Sequence, residues 1–112
     1  MQHGIYVPLI TPMLSTLAID YDSLDQLTHA YIKQGIAGLV FGGDVSEIST
    51  LTDEEIAKIL DYLTAVCSDK TSIIMDVSAD SLNITKKLVG IAKDKNIKNI
   101  LITVPAFISE NQ

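Results

Sequence analysis

Four short apolar runs recur along the chain, at residues 5–10, 38–41, 72–77 and 100–104. Apolar runs of this length without polar alternation are typical of strands buried on both faces, as in parallel sheets. Successive runs start about 30 residues apart, which is enough for a helical crossover between parallel strands. We therefore predict four parallel β-strands.

The first two segments between these runs carry apolar residues at helical spacing. Asp20 or Asp22 can cap the first helix, because a short carboxylate accepts hydrogen bonds from free N–H groups of the first turn. Gly35 is placed to end it. Thr52 and Glu55 form a capping-box pattern, which predicts the start of the second helix.

A third helix is predicted between residues 80 and 96, with Asp80 or Ser81 as its cap and Asn96 as its stop. Gly90 weakens it by about 1 kcal/mol relative to Ala. The side chains predicted to face the core from the three helices are Leu24, Leu27, Ala30 and Tyr31; Ile56, Ile59, Leu60, Leu63, Val66 and Cys67; and Ile84, Leu88, Ile91 and Ala92.

The predicted order is β-α-β-α-β-α-β, an α/β fold with right-handed crossovers. This order is half of a (β/α)₈ TIM barrel; a small open flavodoxin-like sheet is the alternative. The 112 residues show no linker or change of composition, so we expect residues 1–112 to form one half-barrel domain of four strands and three helices.

The charge and composition of the chain indicate which classes of partner and which compartment to expect. The net charge of −6, with 14 acidic and 8 basic residues, argues against nucleic acid and anionic membranes. No apolar run approaches the length of a membrane span, and the first residues lack the features of a signal peptide. Cys67 is the single cysteine, which fits a reducing compartment. We expect a cytoplasmic protein that binds neither nucleic acid nor membrane.

Chemistry in this fold class belongs at the carboxyl ends of the strands. The glycine-rich segment that starts at Gly42 lacks the lysine and the glycine spacing of a phosphate-binding loop. Asp44, Glu47, Asp76 and Asp80 could converge at this edge and hold a divalent cation, since hard cations favour carboxylate oxygens. Solvated loop acids are the favoured interpretation, and we expect no metal site and no cofactor.

Several segments resemble the dihydrodipicolinate synthase and N-acetylneuraminate lyase family. They fall in the family's order, over nearly the whole chain. They are residues 4–13 (GIYVPLITPM), 19–24 (IDYDSL), 35–40 (GIAGLV), 43–55 (GDVSEISTLTDEE) and the last strand with Pro105.

The resemblance implies a class I aldolase or lyase on a (β/α)₈ barrel, with a Schiff base between a lysine and a 2-oxo acid, usually pyruvate. The family pattern Gly-Thr-Thr-Gly-Glu reads here as residues 43–47, with Asp44 and Val45 in place of the two threonines. The family's second tyrosine after the fourth strand is Phe107. The family's Schiff-base lysine lies on the sixth strand, outside these four strands.

The resemblance therefore predicts a truncated or divergent family member without lyase activity by itself, with no complete catalytic set. Gly43, Asp44, Ser46 and Glu47 are the candidate substrate-binding residues, and a 2-oxo acid is the candidate ligand. Two alternatives stay open: half of an active lyase completed by another chain, or a non-catalytic binding or assembly module. Open sheet edges predict a homo-oligomer.

Overall fold

The structure is a computed structural model, and it describes residues 3–103. Four strands alternate with three α-helices in the predicted order. The elements are β1 (Tyr6–Pro8), α1 (Tyr21–Lys33), β2 (Gly38–Gly42), α2 (Asp53–Val66), β3 (Ser72–Asp76), α3 (Leu82–Asp94) and β4 (Asn99–Leu101), with a 3₁₀ turn at Ile48–Thr50 before α2.

The sheet is parallel throughout, and its strand order is β1-β2-β3-β4. Each crossover moves one place in the same direction, so right-handed connections place the helices on one face. A flavodoxin-like sheet would reverse direction and carry helices on both faces, so that alternative is wrong. Consecutive pairing with helices on one side is the arrangement of successive units in a (β/α)₈ barrel.

The core lies between the sheet and the helices. Alternate residues of the strands, Leu39 and Phe41 of β2 and Met75 of β3, are fully buried against Ile59 and Leu63 of α2. On the opposite face of the sheet, the Tyr6 ring packs so closely on Gly38 that an added Cβ would lie 2.5 Å from it. The strands therefore contribute alternate residues to the helix-covered core and to the opposite face of the sheet.

Each of the three helices starts at a residue that the sequence offered as its N-cap. Asp20, rather than Asp22, caps α1, and its carboxylate accepts from the Ser23 backbone N–H at 3.0 Å. Both reciprocal hydrogen bonds of the Thr52–Glu55 capping box are present. Ser81, rather than Asp80, caps α3.

The helix ends also follow the pattern, because Gly35 and Asn96 follow α1 and α3 with positive φ angles of 77° and 59°. These are left-handed conformations, which glycine and asparagine adopt at low cost. Both predicted stops are confirmed.

Two predicted core positions are wrong. Ala30 is exposed because the buried stripe of α1 runs through Leu24 and Thr28, and Ala30 falls off that spacing. Ile84 is 45% exposed because it borders an open cavity at the start of α3. The ordered strands β1 and β4 are also shorter than the apolar runs that predicted them.

Among residues 3–103, no helix combines the length and hydrophobicity that a membrane span requires. Cys67 follows the last residue of α2 and is half-buried. Burial raises the pKa of its thiol, which favours the protonated form.

Candidate functional site

The carboxyl ends of the strands form the edge at which sequence reasoning placed the site. The loop after β2 starts at Gly42 and Gly43, whose φ angles are 121° and 67°. A Cβ on Gly42 would lie 2.2 Å from the backbone oxygen of Asp76, so β2 and β3 approach too closely there for any other residue. The glycines thus turn the chain directly beside the end of β3.

Ser46 is a residue of this loop, and its side chain is fully buried. Its hydroxyl accepts a hydrogen bond from the Gly42 backbone N–H at 2.9 Å and donates one to the Leu9 carbonyl at 2.5 Å. The Thr11 hydroxyl donates to the Ser46 carbonyl at 2.7 Å, and Thr11 is itself buried. Ser46, predicted as a substrate-binding residue, therefore uses its side chain to connect the ends of β1 and β2.

The other predicted residues of the loop lie outward. Asp44, Val45 and Glu47 are all exposed. Glu47 has a left-handed backbone, with φ of 54°. Its N–H donates to the Asp44 carbonyl and its own carbonyl accepts from the Thr50 N–H, so the Glu47 backbone, rather than its carboxylate, makes these loop contacts.

A shallow cavity of about 280 Å³ opens at the ends of β2, β3 and β4, and we call it the mouth. An oxygen of Asp76 accepts from the Ser78 backbone N–H at 2.9 Å, and the Ser78 hydroxyl accepts from the Thr103 N–H at 2.7 Å. The residues that line the mouth are Gly43, Asp44, Asp76, Ser78, Ala79, Asp80 and Thr103. The mouth is consequently polar and acidic.

Three of the four acids singled out in the sequence, Asp44, Asp76 and Asp80, line the mouth, and Glu47 does not. Within residues 3–103, no group of three or more His, Cys, Asp or Glu side chains is arranged to hold a metal ion.

A second cavity, of about 270 Å³, lies between the starts of α2 and α3. Ile56 and Leu88 form part of its apolar wall. Lys87 lies on its rim, and its ammonium group is 3.1 Å from a carboxylate oxygen of Asp53. This cavity shares five lining residues with the mouth, namely Gly43, Asp44, Ser78, Ala79 and Asp80, so the two spaces adjoin along the loops after β2 and β3.

The match to known proteins extends over the whole chain. Residues 1–112 match the model of the dihydrodipicolinate synthetase family. The chain belongs to this family. Its fold is the amino-terminal part of the family's barrel.

Individual relatives show how much of the family's length is represented. The 4-hydroxy-tetrahydrodipicolinate synthase of Wigglesworthia glossinidia brevipalpis is 30% identical over 109 residues, which are 97% of this chain and 37% of that protein. A dihydrodipicolinate synthase family protein of Coccidioides immitis is 28% identical, with a TM-score of 0.78 over 93% of this chain and 35% of that one.

The 4-hydroxy-tetrahydrodipicolinate synthase of Methylacidiphilum fumariolicum SolV shares the fold, with a TM-score of 0.82 at 23% identity over 94% of this chain and 35% of that one. The chain thus spans little more than a third of the length of the dihydrodipicolinate synthetase family members that it matches.

Asp44 and Val45, which the resemblance matched to the family threonines, lie on the exposed part of the loop after β2. Phe107 lies outside the described residues. Sequence reasoning missed Thr11 and Ser78 as polar partners at this edge. Both are hydroxyl residues just after a predicted strand, and that position is the signal that could have found them.

Proposed function

We propose that this 112-residue polypeptide does not by itself catalyse the Schiff-base lyase chemistry that its resemblance implies, and that it is a divergent half-barrel of the family. The observation that carries the proposal is the position of its lysines. Schiff-base catalysis needs an amine inside a desolvated pocket beside the substrate. None of the eight lysines, all within residues 3–103, lines the mouth.

The lysines instead lie on the outer surface of the helices and their connections. Seven of them are exposed, and the eighth, Lys95, is bound to Asp61 at 2.9 Å. Lys58 on α2 lies 4.4 Å from the centre of the Tyr21 ring. Lys87 lines the second cavity, which adjoins the mouth, but its ammonium group is paired with the Asp53 carboxylate.

The charge of the mouth supports the same proposal. A 2-oxo acid carries a carboxylate, which needs hydrogen-bond donors or cations. Asp44 and Asp76 present negative charge there, and Val45, exposed next to Asp44 in the loop, has no hydroxyl to donate. The described part of the mouth therefore disfavours the anionic ligand that the family threonines would bind.

Incubation with pyruvate and borohydride, followed by intact-mass measurement, tests the proposal. The expected result is an unmodified chain, with a full-length synthase of the family as the positive control. A stoichiometric adduct would overturn the proposal, and peptide mapping would then identify the reacting lysine.

A second part of the proposal is association through the edges of the sheet, as a homo-oligomer or with a chain that supplies further strands. In the described sheet β1 and β4 are edge strands, and Ile100, Leu101 and Ile102 at β4 are 45–54% exposed. Unpaired backbone and exposed apolar side chains at an edge favour pairing with another chain.

Light scattering coupled to size-exclusion chromatography measures this association. We expect a mass above that of the 12.2 kDa chain. Ile100→Lys should shift it towards the monomer, whereas Leu82→Lys, at an exposed position away from the edge, should not. A well-folded wild-type monomer at micromolar concentration would contradict association. A heavier complex with a second polypeptide would favour the half-subunit alternative over the homo-oligomer.

A further inference from the structure

We infer that Ser46 is a positioning residue, which fixes the loop of residues 43–47 to the end of β1 and so holds Asp44, which lines the mouth, and the exposed Val45 in a preformed arrangement. The inference rests on the proposed function in one respect only, namely that ligands of this chain would meet the loop at the mouth. The geometry of the attachment itself is independent of any activity.

The hydroxyl of Ser46 has no capacity left for a ligand that needs its proton. Its single O–H donates to the Leu9 carbonyl at 2.5 Å, and its oxygen accepts from the Gly42 N–H at 2.9 Å. The residue is 0% exposed. Its side chain therefore acts on the mouth through the backbone that it holds.

Thr11 provides a second attachment between the same two segments. Its hydroxyl donates to the Ser46 carbonyl at 2.7 Å, across a separation of 35 residues in the sequence. Thr11 is 4% exposed, so water does not compete effectively for this hydrogen bond. The two hydroxyls therefore make two separate hydrogen bonds between Ser46 and the segment that follows β1.

The exposed residues of the loop lie between anchored neighbours. The Gly43 carbonyl accepts from the Ile48 N–H at 3.2 Å, and a Cβ on Gly43 would lie 2.5 Å from a carboxylate oxygen of Asp76. Gly43 on one side and Ser46 on the other thus leave only Asp44 and Val45 to project outward. Their position follows from the two anchors rather than from contacts of their own side chains.

Amide hydrogen exchange followed by NMR on the full chain tests this inference. Ser46→Ala removes both hydrogen bonds of the side chain. We expect exchange to accelerate about tenfold at Gly42, Glu47 and Ile48, whose amides donate the hydrogen bonds that hold this loop. Exchange at Lys95 and Asn96, whose amides bond within the last turn of α3, should stay within twofold, because this helix end opens independently of the loop.

A matched pair at Thr11 keeps the test valid if Ser46→Ala does not fold. Thr11→Val removes the hydroxyl at nearly constant volume and should accelerate the same amides, whereas Thr11→Ser keeps the hydroxyl and should restore protection. Thr50→Ala is the control, because its hydroxyl binds the Glu47 carbonyl within the loop and does not reach β1.

Unchanged exchange at Gly42, Glu47 and Ile48 in the folded variants, or equal acceleration at Lys95 and Asn96, would overturn the inference. The proposed function is tested by a different measurement, the mass of the chain after treatment with pyruvate and borohydride. A pyruvate adduct detected by mass would refute inactivity but would leave the exchange result as it stands.

Discussion

The phenol of Tyr62 on α2 donates a hydrogen bond to the carboxylate of Asp25 on α1, joining two helices whose residues are 37 positions apart. The same carboxylate lies 3.2 Å from Nδ1 of His29, one turn further along α1. Burial, followed by the hydrogen bond to Asp25, raises the pKa of Tyr62 to about 12. This contact makes the packing of α1 against α2 sensitive to alkaline pH.

The first prediction concerns alkaline stability. Because the folded state favours the neutral Tyr62 phenol, its contribution is complete below the unfolded pKa of about 10 and is lost as pH rises through about 12. Tyr62→Phe should lower the free energy of unfolding at pH 8 by about 0.5–1.5 kcal/mol. It should also reduce the further loss between pH 10 and 12. Urea unfolding at each pH measures both effects, and Tyr31→Phe is the control.

A second prediction concerns acid. The side-chain and backbone hydrogen bonds from Ser23 lower the pKa of Asp20. A lowered folded pKa gives stability that is present above the unfolded value, near 3.9, and is lost as pH falls through the folded one. Thermal unfolding between pH 5 and pH 2 should show this loss. Asp20→Asn keeps a capping oxygen and should weaken the pH dependence; an unchanged slope would contradict the assignment.

The start of α2 supplies a third prediction. Thr52→Ala removes the side-chain acceptor of the capping box and should lower the free energy of unfolding by about 1 kcal/mol. Thr64→Ala is the matched control, since Thr64 is exposed on α2 and its hydroxyl binds only the Asp61 carbonyl within the helix. Equal effects of the two substitutions in urea unfolding would show that the cap has no special role.

Two glycines should respond in opposite directions to alanine. Gly90 lies in α3 with open space around it, so Gly90→Ala should stabilise the fold by about 0.5–1 kcal/mol. Gly42 has φ of 121° and no room for a Cβ, so Gly42→Ala should destabilise it by more than about 1 kcal/mol. Thermal unfolding midpoints measure both, and a stable Gly42→Ala variant would refute the close approach of β2 and β3.

The thiol of Cys67 provides the fifth prediction. Burial raises its pKa and reduces its thiolate fraction near neutral pH. Its reaction with a disulfide reagent at pH 7.5 should therefore be slower than in urea, where the thiol is free. Rapid labelling of the folded chain, at the rate of a small thiol, would contradict the half-buried position.

Local chemistry accounts for what could be predicted from the sequence. The capping box at Thr52 fixes the start of α2 because its two hydrogen bonds involve residues only three positions apart. Gly35 and Asn96 end helices for a similarly local reason, since few other residues adopt a left-handed backbone at low cost. The spacing of the apolar runs predicted four parallel strands but left two strand orders open, and the observed order excluded the flavodoxin-like sheet.

The parts of the site that could not be predicted depend on distant residues. Ser46 was predicted to bind substrate. Its hydrogen bond to the Leu9 carbonyl could not be predicted, because Leu9 is 37 positions away in the sequence. The 3₁₀ turn at Ile48–Thr50 could not be predicted, because its three residues are too few to show an apolar periodicity. Ala30 was wrongly assigned to the core because an alanine gives a weak hydrophobic signal. The buried position on this face of α1 is occupied by Thr28, which a purely apolar pattern does not assign to the core.

The strand order has a consequence for how the chain acquires its structure. In the sheet formed by residues 3–103, every strand pairs only with the strand before or after it in the sequence, so none of these pairings has to wait for a distant segment. Loops closed early are short, and short loops lose less conformational entropy when they close. We expect each unit to dock as it leaves the ribosome, with β2 and β3 protected before β4 in pulse-labelled exchange.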